Sequence, residues 1–200
     1  MGAPGRLGVM GGTFDPIHHG HLLTAEEAFW QFGLDEVLFV PTGQPWMKDH
    51  PEVSPSEDRY LMTVIATSPN PHFRVSRKEI DRAGPTYTVD TLRALREEYG
   101  QETELFFVTG ADAMLEIFHW KDPEEVLALA HFIAATRPGY EIARFEAEAP
   151  TRHPNVSVMT IPALAISSTD IRARVQEGRP IRYLVPEGVL TYIDKAGLYR

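Results

Sequence analysis

Apolar positions along this chain fall into short runs separated by longer amphipathic stretches. Leu7 to Met10 is apolar and runs directly into Gly11-Gly12, the pattern of a buried strand ending in a tight turn. His19 to Phe32 has helical spacing, and Gly33 after it suits a left-handed cap. Glu36 to Val40 is a second strand, stopped by Pro41, so the chain opens on a βαβ unit. Pro41 to Pro55 predicts a loop of about fifteen residues, a length that inside a compact domain usually carries function. Ser54-Pro55-Ser56-Glu57 announces a helix, with Ser54 as N-cap, Pro55 at the first helical position and Glu57 closing a capping box. It continues through Met62 and Ile65 to about Pro69.

Phe73 to Ile80 has strand character. Thr88 to Tyr99 predicts a helix with Thr88 as N-cap, Leu92 and Leu95 inward and Gly100 as stop. Glu104 to Thr109 is a strand leading into Gly110-Ala111-Asp112, and Asp122-Pro123-Glu124-Glu125 opens another helix. Phe132 to Thr136 is one more buried strand, Arg137 to Pro154 a charged surface stretch, and Val156 to Pro162 an alternating strand. Ser167 to Gln176 and Pro186 to Ala196 are helices, the second stopped by Gly197. Strands alternating with helices predict a Rossmann-like doubly wound α/β fold, a mostly parallel sheet with helices on both faces. The expected organisation is one domain over residues 1–200, with a C-terminal helical part, about 167–200, packed on it. Ligands in such folds sit beyond the carboxyl ends of the strands, which is where the polar motifs fall.

Composition narrows the chemistry. The net charge of −9 argues against general attraction to nucleic acid or anionic lipid, so cations that hold a polyphosphate must be few and local. There is no cysteine, hence no disulfide, thiolate metal site or thiol nucleophile. Met1 to Arg6 lacks an apolar signal region, and no apolar run approaches the roughly 18 residues of a membrane span. A cytoplasmic enzyme is expected, with a homo-oligomer left open.

The densest chemistry lies in Gly11-Gly12-Thr13-Phe14-Asp15-Pro16-Ile17-His18-His19-Gly20-His21. Glycines directly after a strand let backbone N–H groups approach a ligand, and the next helix offers its positive end to an anion. His18 and His21, spaced i, i+3, share a helix face and suit phosphate oxygens. Gly20 between them keeps the helix start open for a base or ribose. Such a pair is also half of a metal site, but no third ligand is evident. Later, Ser167 and Ser168 at a helix start with Arg172 a turn further on suit a triphosphate tail.

The run from Gly11 to His21 resembles the signature of the HxGH nucleotidyltransferase superfamily, and its GGTFDPIHxGH form resembles the nicotinate mononucleotide adenylyltransferases. Ile166 to Arg172 resembles that family's ISSTxIR motif, Gly110-Ala111-Asp112 its ribose-contacting GxD element, and Gly84 to Leu92 its GxSYTxDTL element. The resemblance implies transfer of AMP from ATP to nicotinate mononucleotide by in-line displacement at the α-phosphorus, with Mg²⁺ bound through the ATP phosphates rather than by the protein. It implies His18, His21 and Arg172 as catalytic residues. It also implies an ATP site of Gly11, Gly12, Thr13, Phe14, His18, His21, Gly110, Asp112, Arg137, Ile166, Ser167, Ser168 and Arg172. Tyr87 and Thr88 would meet the nicotinate carboxylate, Trp120 would stack on the pyridine, Asp112 would take ribose, and Lys48 would lie near the mononucleotide phosphate. Trp46-Met47 departs from the Pro-His usual before that lysine, and Thr86 replaces a common serine. Two alternatives compete. Another adenylyl- or cytidylyltransferase of the superfamily, such as one acting on phosphopantetheine, would have no use for Tyr87, Thr88 and Trp120. A non-catalytic nucleotide sensor would tolerate broken histidine or serine–arginine motifs, and both are intact.

Overall fold

A computed structural model of the chain describes residues 2–45, 53–136, 153–162 and 164–200. In chain order the strands are β1 (Arg6–Gly12), β2 (Glu36–Pro41), β3 (Gln44–Pro45), β4 (Phe73–Val75), β5 (Pro85–Thr86), β6 (Glu104–Gly110), β7 (His131–Thr136) and β8 (Val156–Thr160). The helices are α1 (His19–Gln31), α2 (Ser56–Thr67), α3 (Thr88–Tyr99), α4 (Ala111–Leu115), α5 (Pro123–Leu129), α6 (Ser168–Gln176) and α7 (Glu187–Ala196), with a 3-10 turn over Ile117–His119. Six strands form one parallel sheet in the order β4-β2-β1-β6-β7-β8. This is a doubly wound Rossmann-like order, and it reverses between β1 and β6. A crevice beyond the carboxyl ends of these two strands is therefore where a ligand belongs. β3 and β5 pair separately as a short parallel ladder.

Because side chains alternate across a strand, each buried strand feeds two cores. On one face Met10, Val37, Phe39, Phe106 and Ile133 meet Ala25 and Ala28 of α1, Met62 of α2, Ile171 of α6 and Val189 of α7. On the other, Leu7, Val9, Leu38, Phe107 and Phe132 meet Leu92 and Leu95 of α3, Met114 of α4 and Val126 of α5. Complete burial of each such side chain contributes about 1.5–3 kcal/mol. The C-terminal helices thus share the first core, and the Tyr192 hydroxyl of α7 donates to Asp58 of α2 at 2.6 Å. That bond and burial push the Tyr192 hydroxyl up to about 12.

Several boundaries differ from the sequence expectation. The cap of α2 is Pro55, with no side-chain bond, and not Ser54. Ser54 is committed elsewhere: its N–H donates to the Asp15 carboxylate and its carbonyl accepts from Arg59. Glu57 pairs with Arg77 at 2.6 Å instead of closing a capping box. Thr88 is likewise the first helical residue, with Tyr87 as cap. The strand expected over Phe73 to Ile80 stops at Val75, after which Ser76 bonds Phe39 and the chain turns through an Asp81 N–H to Arg77 carbonyl bond. The loop from Pro41 to Pro55 contains β3 in its described part, while 46–52 lie outside the described residues. The short α4 and the 3-10 turn show no apolar period from which to predict them.

Gly43, just before β3, lies against the backbone of Glu79, whose carbonyl oxygen would sit only 2.0 Å from an added Cβ. Backbone cannot yield as a side-chain tip can. Gly43→Ala is therefore expected to destabilise the protein by about 1–3 kcal/mol through overpacking. Urea denaturation measures this, and an unchanged midpoint would exclude the close approach.

Candidate active site

β1 delivers the chain into the crevice at Gly11 and Gly12. A Cβ on Gly11 would stand 3.0 Å from the Phe107 ring, and one on Gly12 would stand 2.9 Å from the Phe14 ring. Phe14 itself adopts φ 50°, a left-handed conformation that costs a bulky residue energy and persists only where its surroundings fix it. The following residues through His18 are buried, so this loop runs inside the protein rather than over it. Its carbonyls are satisfied by three residues from two distant helices, α2 and α6. Thr13 accepts from Arg59 at 2.8 Å, Asp15 from Arg172 at 2.8 Å, and Pro16 from the Ser168 hydroxyl at 2.9 Å.

The loop ends in the two histidines. His18 caps α1 in extended conformation and His21 lies in the first turn. Their rings stack with centroids 3.7 Å apart and planes 19° from parallel. The His18 backbone N–H donates to Nδ1 of His21 at 3.3 Å. A neutral His21 therefore carries its proton on Nε2, as a hydrogen-bond donor. The atoms nearest a Cβ at Gly20 are those of the His18 ring, at 3.0 Å. That glycine makes room first for a histidine, where the sequence suggested a base or ribose.

Both histidines line a cavity of about 490 Å³, together with Gly20, Gly110, Asp112, Ile166, Ser167 and Ser168. The size falls within the range of small-molecule sites. The cavity thus unites three motifs that are far apart in sequence. Gly110 ends β6 and caps α4, which begins Ala111-Asp112. Ser167 caps α6, its hydroxyl accepting from the Asp170 N–H at 3.1 Å. Ser168 and Arg172, expected at a triphosphate tail, both donate here to carbonyls of the glycine-rich loop. Among the described residues, no group of three His, Cys, Asp or Glu side chains is placed to hold a metal ion.

A second group gathers at the start of α3. Tyr87 caps that helix and Thr88 begins it. Lys121 places its ammonium 4.6 Å from the centre of the Tyr87 ring and 3.1 Å from Asp90. Trp120, next to it, meets Phe107 edge-on at 6.2 Å and Phe132 at 6.4 Å, so one side of the indole is anchored in the core. Lys48, Trp46, Met47 and Arg137 lie outside the described residues.

Sequence reasoning passed over Arg59, Asp15 and Tyr199. Arg59 is 1% exposed, and its guanidinium donates to the carbonyls of Ser54, Thr13 and Gly43 at 2.8–3.0 Å. Burial draws its pKa down, against the opposing charge of Asp15. A signal was present: Arg59 falls on the stripe Met62, Thr63 and Ala66, the buried face of α2. Asp15 is buried, with Oδ1 accepting from the Tyr199 hydroxyl at 2.6 Å and Oδ2 from the Ser54 N–H at 3.1 Å.

The cytidylyltransferase-like family matches residues 9–174 of the chain, a span that takes in every motif described above. The probable nicotinate-nucleotide adenylyltransferase of Salinispora arenicola is 61% identical over 191 residues, covering 96% of this chain and 100% of that one. The chain belongs to the nicotinate-nucleotide adenylyltransferases. The probable nicotinate-nucleotide adenylyltransferase of Streptomyces coelicolor is also 61% identical, over 96% of this chain and 99% of its own. The nicotinic acid mononucleotide adenylyltransferase of Plasmodium falciparum, solved in complex with NaAD, shares the fold, with a TM-score of 0.79 over 97% of each chain at 21% identity.

Gly20 and Glu79 each yield a prediction. Gly20→Ala should change stability by no more than about 1 kcal/mol, since alanine favours the helix. Turnover should nonetheless fall about tenfold or more as the added Cβ displaces the His18 ring. Melting curves beside initial rates separate the two effects, and normal turnover would show that the His18 ring position is not critical. The second concerns Glu79, 8% exposed, which accepts from the Thr91 hydroxyl at 2.6 Å. Burial pushes its carboxyl up, against the bonds from Thr91 and Thr86 and the Arg82 charge. With the folded pKa above the unfolded one, its stabilising contribution is full below the unfolded value. It is lost as pH rises through the folded value. Glu79→Gln abolishes that loss, so variant-minus-wild-type unfolding free energy should increase from about pH 4 upward. A pH-independent difference in urea titrations would contradict it.

Proposed function

We propose that this protein transfers the adenylyl group of ATP to nicotinate mononucleotide, giving deamido-NAD and pyrophosphate in NAD biosynthesis. The observation that carries the reading is the stacked His18–His21 pair in a cavity shared with the Gly110-to-Asp112 turn and the start of α6. The mononucleotide phosphate oxygen attacks the α-phosphorus, and the bond from that phosphorus to the pyrophosphate oxygen breaks in line. No protein nucleophile takes part, which suits a chain without cysteine. The protein supplies placement and donors for the negative charge that shifts between phosphate oxygens. His18 and the Nε2–H of His21 serve the α- and β-phosphates. Arg172 and Ser168 serve the β- and γ-phosphates from α6, besides holding the loop.

Imidazoles and hydroxyls make up most of the polar part of the cavity wall, a donor set that fits phosphate oxygens better than a divalent cation. Mg²⁺ accordingly belongs on the ATP phosphates, where it neutralises the departing pyrophosphate. Asp112 at the cavity edge accepts ribose hydroxyls. Tyr87 and Thr88 offer the start of α3 to the nicotinate carboxylate, and Trp120 offers an aromatic face to the pyridine ring. We assign the reaction to the cytoplasm on the strength of the proposed role in NAD biosynthesis.

His21→Ala is expected to lower kcat by about 10²–10³ while the fold survives. Pyrophosphate release with Mg-ATP, measured in parallel with nicotinate mononucleotide, nicotinamide mononucleotide and phosphopantetheine, tests the whole reading. Preference for the nicotinate form supports the roles of Tyr87, Thr88 and Trp120. Preference for phosphopantetheine, or no turnover with any acceptor, would overturn it.

A further inference from the structure

Among the described residues four non-glycine positions adopt left-handed φ, and two of them flank a single hydrogen bond. Phe14 has φ 50° and directly precedes Asp15, while Tyr199 has φ 64° and donates its hydroxyl to Asp15 Oδ1 at 2.6 Å. Aromatic residues avoid this conformation, so its presence on both sides of one contact marks a place where the fold tolerates strain to fix a geometry. The other carboxylate oxygen receives the Ser54 N–H at 3.1 Å and the Asp15 carbonyl receives Arg172 at 2.8 Å. Asp15 is 3% exposed. Three residues on stands His18, reached through Pro16 and Ile17, both buried, so no slack segment separates the carboxylate from the imidazole. Burial and the Asp15 charge raise the Tyr199 hydroxyl far above its ordinary range, which keeps it a donor.

We propose that Tyr199 is a positioning residue for adenylyl transfer, acting through Asp15 to hold the loop that presents His18 and His21. This rests on the adenylyltransferase reading of the site. The same C-terminal segment supplies a matched control, because Tyr192 makes a bond of equal length to Asp58 on α2 rather than to a residue of the loop. Both tyrosines tie the C-terminal segment to the body of the protein, but only Tyr199 does so at the loop that leads to the histidines.

The test compares Tyr199→Phe, Tyr192→Phe, Asp15→Asn and the Tyr199→Phe/Asp15→Asn double variant by steady-state pyrophosphate release and by NMR of the histidine ring nitrogens. Tyr199→Phe should lower kcat about tenfold or more, with KM for ATP changed less than about threefold, because placement and not binding is lost. Tyr192→Phe should leave kcat within about twofold, and Tyr199→Phe should add little to Asp15→Asn. The ring signals of His18 and His21 should shift in Tyr199→Phe and stay in Tyr192→Phe. Near-normal kcat in Tyr199→Phe, equal losses in both tyrosine variants, or multiplicative losses in the double variant would overturn the proposal. If the wild type itself does not turn over nicotinate mononucleotide, the functional reading fails, and unmoved His18 and His21 ring signals still decide against Tyr199 independently. Should Tyr199→Phe not fold, the kcat and ring signals of Asp15→Asn bear the same test: wild-type values there overturn it.

Discussion

A backbone segment buried without regular secondary structure must find a partner for each of its polar groups, and this requirement shapes the site. The glycine-rich loop enters the interior between β1 and α1, where no neighbouring strand can satisfy it. Its carbonyls at Thr13, Asp15 and Pro16 are met by Arg59, Arg172 and Ser168, and the His19 N–H reaches the Leu184 carbonyl at 3.0 Å. The Asp15 side chain adds Ser54 and Tyr199. Pieces of chain from Ser54 to Tyr199 are thus drawn to one point by hydrogen-bond demand. Losing any one donor leaves a buried acceptor unsatisfied, which costs about 1–3 kcal/mol.

The same demand explains why the motif near the C-terminal end of the chain plays two parts. Ser168 stands where the start of α6 faces the cavity, and Arg172 lies one turn further along that helix. They also complete the backbone of the loop that carries the histidines. Loop and helix therefore cannot be positioned independently, and the cavity between them inherits a fixed width. Arg59 does comparable work from the other side. One guanidinium bonded to Thr13, Gly43 and Ser54 makes the loop, the entry to β3 and the start of α2 a single rigid unit. Arginine suits this task because its five donors are spread over a planar fork and reach three separated carbonyls at once.

The fold was largely legible because its signals are local. The apolar runs of the buried strands, the helix stops at Gly33, Gly100 and Gly197, and the alternation from Val156 to Pro162 are all contained in windows of a few residues. The cavity was legible too, through motifs whose residues the structure does bring together: His18, His21, Gly110, Asp112, Ile166, Ser167 and Ser168. What escaped was non-local. Ser54 has the look of an N-cap in its own window, yet its backbone is claimed by Asp15 and Arg59. An arginine on an apolar helix stripe signals a buried charge but not which carbonyls it serves, since these lie 46, 16 and 5 residues away. Tyr199 is invisible for the same reason, its partner lying 184 residues upstream.

An acidic protein that handles anionic nucleotides presents an apparent conflict, and the geometry resolves it. At physiological salt the influence of exposed charge fades beyond about 8 Å. The net charge of −9 therefore matters little inside a crevice whose donors are set at hydrogen-bond range. There the protein relies on orientation rather than on accumulated positive charge. The His21 ring, whose Nδ1 takes a backbone N–H, the helix starts, and one arginine already held by a carbonyl are set by the fold itself. Donors already held in place attract the polyphosphate less in bulk solution than an exposed lysine cluster would, but they lose little by reorganising when charge moves from one phosphate to the next. Buried backbone bonding that keeps the loop in place is what makes such economy of charge workable, because a donor that does not rely on long-range attraction must already be in position.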